Sequence, residues 1–66
     1  MSHRRMVIYA KDIALITNKT ERTGRRILRQ IRKAFGKEKR DYVTIKEFCL
    51  FSGFDEDEVH EMLSGK

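Results

Sequence analysis

The sequence predicts an all-α domain, with four helices forming two tandem helix-turn-helix units packed together and a minimal β contribution from two very short extended segments. Three observations predict it. Residues 11–28 overlay without a gap on residues 46–63, with Lys11/Lys46, Leu15/Leu50, Glu21/Glu56 and Leu28/Leu63 identical and Ile13/Phe48, Ala14/Cys49, Ile16/Phe51, Thr17/Ser52 and Ile27/Met62 alike in character. Asn18 and Gly53, the residue types that enter the left-handed conformation most cheaply, stand at equivalent places, and each is followed two residues later by a good N-cap, Thr20 or Asp55. Between these signals the apolar residues recur at helical steps of three and four.

Each element follows from its residues. Residues 6–9 are apolar and partly β-branched and precede the first unit just as Tyr42, Val43 and Thr44 precede the second, so two short and paired extended pieces are expected. The first helix buries Ile13, Ala14 and Ile16. Thr44 and Glu47 have capping-box spacing, which starts the third helix at Ile45, and Ile45, Phe48, Cys49 and Phe51 form its inner stripe. The second helix, over 21–35, places Gly24, Ile27, Leu28, Ile31, Ala34 and Phe35 on one inner face about 22 Å long. Gly36 ends it, and residues 37–40 read as a solvated linker. The fourth helix begins near Glu56, buries Val59, Met62 and Leu63, and has an acidic first turn that complements the positive end of its dipole. The aromatic residues Phe35, Tyr42, Phe48, Phe51 and Phe54 are assigned mainly to the core, and exposure of Phe51 or Phe54 would instead mark a dimer patch.

At 66 residues the chain is read as one domain, which buries only about 60% of its unfolded surface and leaves little room for a large catalytic cleft. Its parts are an N-terminal arm or short extended segment (1–9), a basic unit (10–36), a linker (37–44) and an acidic unit (45–64). Charge divides sharply between them. Residues 1–40 carry 13 Lys/Arg against 3 Asp/Glu, a net +10, whereas residues 41–66 carry 2 against 7, a net −5. A basic excess argues for attraction to a polyanion. No apolar run approaches the roughly 18 residues that a spanning helix needs, and residues 6–10 are too short for a signal peptide core, so the expected location is the cytoplasm. A single cysteine, Cys49, matches Ala14 of the other repeat and is expected to be a small core residue.

The corner between the first two helices, Asp12-Ile13-Ala14-Leu15-Ile16-Thr17-Asn18-Lys19-Thr20-Glu21-Arg22-Thr23, resembles the helix-turn-helix of small bacterial DNA-binding proteins, the excisionase-like and other short transcriptional regulators. The resemblance covers roughly residues 10 to 30. Ala14 matches the small residue that lets the helices approach, and Asn18 matches the turn residue. The chain departs from the pattern at Lys19 and Gly24, where the family usually has apolar residues, and Gly24 is expected to leave bare backbone against Ala14. By the family's docking mode, the start of the second helix faces the major groove, which implies Thr20, Glu21, Arg22, Arg25 and Arg26 here.

Side-chain chemistry supports that implication. Lys and Arg contacts release counterions condensed on the duplex, and the planar guanidinium fork matches guanine's major-groove edge or a phosphate. Arg22, Arg25 and Arg26 are expected at base edges or nearby phosphates, Thr20 and Thr23 at phosphates by the helix start, and Arg29, Arg32 and Lys33 at the backbone alone. A face that is merely solvated interleaves both charge signs, whereas this helix has Glu21 as its single acid. Arg4 and Arg5 are candidates for a minor-groove arm. The expected activity is sequence-preferring binding of double-stranded DNA by a transcriptional regulator or recombination accessory factor, acting as a homodimer or cooperative array on DNA. The rival is a protein-interaction module, adaptor or antitoxin-like, whose basic helix docks an acidic partner, and RNA binding ranks third.

The second unit is expected to keep the corner for packing, because Asp55, Glu56, Asp57 and Glu58 repel phosphate; it is contiguous in acids where an EF-hand loop needs them alternating. Neither an enzyme nor a cofactor is expected. His3, His60 and Cys49 do not have the spacing of a catalytic set or a zinc site, and His60 is placed on the outer side of its helix.

Overall fold

A computed structural model describes residues 6–64, in the order β1 (Val7–Ile8), α1 (Ala10–Thr17), α2 (Glu21–Ala34), β2 (Val43–Thr44), α3 (Ile45–Ser52) and α4 (Glu56–Leu63). The chain is mostly helical, and the two extended segments pair as a small antiparallel sheet, so all-α gives way to mostly α. Arg4 and Arg5 lie outside the described residues.

The strand register shows how the repeat is used. Val7 faces Thr44 and Ile8 faces Val43. Ile8 and Val43 are the same position in the two repeats, so an antiparallel pair that sets them opposite each other has a local two-fold axis between them. Ile45 N–H extends the ladder by donating to the Met6 carbonyl at 2.8 Å, and the Tyr9 and Tyr42 rings meet edge-on at 6.3 Å. The helices follow the same symmetry, since α1 packs on α4 and α3 packs on α2. Ile8, Ile13, Leu28, Ile31, Val43, Ile45, Phe48, Cys49 and Val59 make one core drawn from both units.

Local signals recur in both halves. Asn18 (φ 58°) and Gly53 (φ 87°) end α1 and α3 in the left-handed conformation. Thr20 accepts from Thr23 N–H at 3.2 Å and Asp55 accepts from Glu58 N–H at 3.0 Å, which satisfies free amides at the starts of α2 and α4. Thr44 and Glu47 form the expected capping box, at 2.9 and 3.0 Å. Thr17 and its equivalent Ser52 each donate a hydroxyl to the carbonyl four residues back at 2.7 Å.

Four sequence expectations are corrected. Gly24 meets Ala10, one turn before Ala14: a Cβ there would collide with the Ala10 carbonyl oxygen and lie 3.0 Å from its carbon. Its repeat equivalent is Val59, whose side chain is buried in the core. The buried stripe of α2 is shorter than the periodicity implied, because Ala34 and Phe35 are exposed and Ile31 is its last buried residue. Met62 is likewise exposed, while Val59 is buried and Leu63 packs at the core edge. Of the six aromatic residues, only Phe48 is buried; Phe51 and Phe54 are each 42% exposed, with the Phe54 ring stacked on Phe48 at 5.6 Å. Such a small core cannot cover every apolar side chain.

Candidate nucleic-acid interface

The start of α2 is set by the Asn18 turn and the Thr20 cap, and its roll about its own axis is set by Gly24, Leu28 and Ile31, all buried. With that side fixed inward, 100° per residue places Arg22, Arg25, Arg26, Arg29 and Lys33 within an arc of about 100° on the opposite side. All five are exposed. The ridge they form is about 16 Å long, comparable with the roughly 12 Å width of a major groove.

Arg22, Arg26, Arg29 and Lys33 make no ion pair among the described residues, so their charge is available to a partner. Arg25 differs: its guanidinium lies 3.7 Å from Glu21 one turn back, with both side chains more than half exposed. An ion pair this wet is worth only about 0–1 kcal/mol, which a phosphate can outcompete. No ion pair joins the acidic run of α4 to the basic face of α2 among the described residues, and the ridge is open. Thr20 is exposed but its hydroxyl is engaged, accepting from Thr23 N–H and donating to the Thr23 hydroxyl at 3.1 Å. Thr23 is half-buried. These two threonines chiefly build the helix start.

Arg32 does not stand with the ridge. It is half-buried, and its Nε–H donates to the Asp41 carbonyl at 3.0 Å. The segment expected as a solvated linker is folded back onto α2 by this and other bonds. Gly36 takes a left-handed φ of 67° and Lys37 N–H returns to the Arg32 carbonyl at 2.7 Å, closing the end of the helix. Glu38 N–H donates to the Asp41 carboxylate and Asp41 N–H to the Glu38 carbonyl, both at 3.0 Å. The Lys37 ammonium donates to the Tyr42 carbonyl at 3.0 Å and lies 3.1 Å from the Glu47 carboxylate. Burial opposes the charge on Glu47, but the Thr44 N–H and the Lys37 ammonium outweigh it and hold its carboxyl below the usual range.

Between α2 and this turn lies a hollow of about 660 Å³, lined by Arg25, Arg29, Arg32, Lys33, Lys37 and Lys39, with Leu28 as its one apolar lining residue. Sequence reasoning had the helical members of this set but missed Lys37 and Lys39. No spacing rule signals a turn pinned by side-chain bonds to backbone carbonyls nine and five residues away.

The acidic unit presents Asp55, Glu56, Asp57, Glu58 and Glu61 to solvent. His60, expected outside, has a side chain only 12% exposed, 4.0 Å from Glu56. Cys49 is buried as its match to Ala14 implied, and burial together with Glu56 and Asp55 pushes its thiol up, which makes it a poor nucleophile. Among the described residues, no helix is long and apolar enough to cross a membrane. No protein-family model, curated protein or solved structure matches the chain.

Proposed function

We propose that this protein binds double-stranded DNA with some sequence preference, through α2 of a helix-turn-helix like that of small bacterial regulators and recombination accessory factors. It acts as a binding protein and not as a catalyst. One observation carries the reading: five exposed cationic side chains share the face of α2 opposite its core stripe, with a single acid on the helix. A helix of this width fits a major groove, and its charges match the phosphates on either side. Arg22 and Arg26, in the first two turns of α2 and without an ion pair among the described residues, are assigned to base edges or adjacent phosphates, Arg25 joins them once released from Glu21, and Arg29 and Lys33 contact the backbone. The second unit serves as a packing partner, and its acids keep phosphate away from α4.

The test is a titration of duplex DNA, single-stranded DNA and RNA at two salt concentrations, with wild type and the triple variant Arg22→Ala/Arg25→Ala/Arg26→Ala. The expected result is duplex binding whose salt slope reflects about 4 to 6 neutralised phosphates, largely lost in the variant. Duplex binding untouched by the triple change would eliminate the assignment. A partner protein recovered at high salt, with no affinity for duplex, would establish the rival in which α2 docks an acidic protein surface. The size of the complex on DNA reports whether one copy, a dimer or an array binds.

A further inference from the structure

The hollow between α2 and the turn over 37–41 differs from an ordinary charged surface in two respects. Six of its seven lining residues are cationic and none is acidic. Its far wall is also held in place, because Arg32 bonds to the Asp41 carbonyl, Lys37 bonds to the Tyr42 carbonyl and Glu47, and Glu38 and Asp41 close the turn between them. Lys39 sits within that turn, exposed and without a partner among the described residues. Like charges brought this close repel one another, so the arrangement gains most when an anion enters.

We infer that this hollow seats the phosphodiester backbone of one DNA strand, with Lys33 and Lys39 as phosphate contacts on its two walls and Arg32 and Lys37 as positioning residues that hold the turn. The inference rests on the duplex-binding reading and deepens it. The ridge formed by Arg22 and Arg26 reads the groove, while the hollow beside it grips the strand and sets the depth and angle at which α2 enters. Phosphate contacts fix register and carry no sequence information of their own, whereas groove contacts do. Arg32, expected from the sequence as a phosphate contact, instead spends its Nε–H on building the wall.

Six proteins separate the roles: wild type, Lys33→Ala/Lys39→Ala, Arg22→Ala/Arg26→Ala, Lys39→Ala, Lys37→Met and Lys37→Met/Lys39→Ala. For each, duplex affinity is measured across a salt series and on two duplexes, the tightest from a random pool and its scrambled sequence. Circular dichroism reports the fold. Losing Lys33 and Lys39 is expected to reduce the salt slope by about 2, weakening both duplexes equally. Losing Arg22 and Arg26 should change the ratio between duplexes. Lys37→Met keeps the alkyl stem but releases the turn, so Lys39→Ala should have less effect in that background than alone. A wild-type salt slope retained by Lys33→Ala/Lys39→Ala, while Arg22→Ala/Arg26→Ala still alters binding, overturns this inference alone. Wild type that fails to bind duplex overturns the reading of α2 and this inference with it.

Discussion

Replacing Gly24 by alanine tests the way the basic helix is seated. At an ordinary mid-helix position the change stabilises by about 1 kcal/mol, because glycine surrenders more backbone freedom than alanine on folding. Here the new methyl would collide with the Ala10 carbonyl oxygen and stand 3.0 Å from the carbon behind it. Both are backbone atoms, which cannot rotate aside as a side chain does. Forcing α1 and α2 apart has the character of overpacking, at about 1–3 kcal/mol, and the upper end applies because the first turn of α1 must move as a body. Set against the propensity gain, the net expectation is a loss of about 2 kcal/mol. For a domain of this size that corresponds to a fall of roughly 8–16 °C in Tm. Thermal and urea unfolding followed by circular dichroism would measure it, with Gln30→Ala on the exposed side of the same helix as the control. A Gly24→Ala protein as stable as wild type, or more so, would refute the close contact and the placement of α2 on α1.

Three further changes probe other parts of the molecule. Glu21→Ala removes the single acid of α2 and frees Arg25; the exposed pair contributes about 0–1 kcal/mol, so Tm should barely move while duplex affinity in a gel-shift titration rises. Asn18→Val places a β-branched residue at φ 58° and should lower stability by about 1–3 kcal/mol in urea unfolding, whereas Asn18→Gly should be tolerated. Glu47 has a folded pKa below its unfolded one, so its contribution is complete above the ordinary carboxylate range and disappears as pH falls through the folded value. Glu47→Gln should therefore lower Tm at pH 7 and flatten the decline between pH 5 and 3, and identical pH profiles for the two proteins would contradict the Lys37–Glu47 clamp.

The parts legible in the sequence are those that short-range chemistry decides. Asn18 and Gly53 announce left-handed helix ends, Thr20, Thr44 and Asp55 announce starts, and the matched repeat fixes four helices before any tertiary contact is considered. Burial is less legible, because periodicity identifies a stripe but neither its length nor its edges: Ala34 and Phe35 follow the last buried residue of α2, Ile31, and Met62 is exposed beside Leu63, which packs on the core. The exposed cations of α2 were visible as a one-signed run. The diversion of Arg32 to a backbone carbonyl and the clamp from Lys37 to Glu47 were not, since a long flexible side chain finds its partner only once the turn has folded. Gly24 was recognised as a gap in the apolar pattern, and only the structure assigns its neighbour as Ala10.

The strand pair, in which Ile8 lies opposite Val43, has a consequence for how such a molecule can change. Two identical subunits meeting about that axis would have to carry the same surface, and an arginine gained on one would appear on the other as well. A single polypeptide containing both halves is free of that constraint, because each substitution falls on one side only. The shared interior can then stay balanced while the two exteriors diverge, one toward cations and the other toward acids.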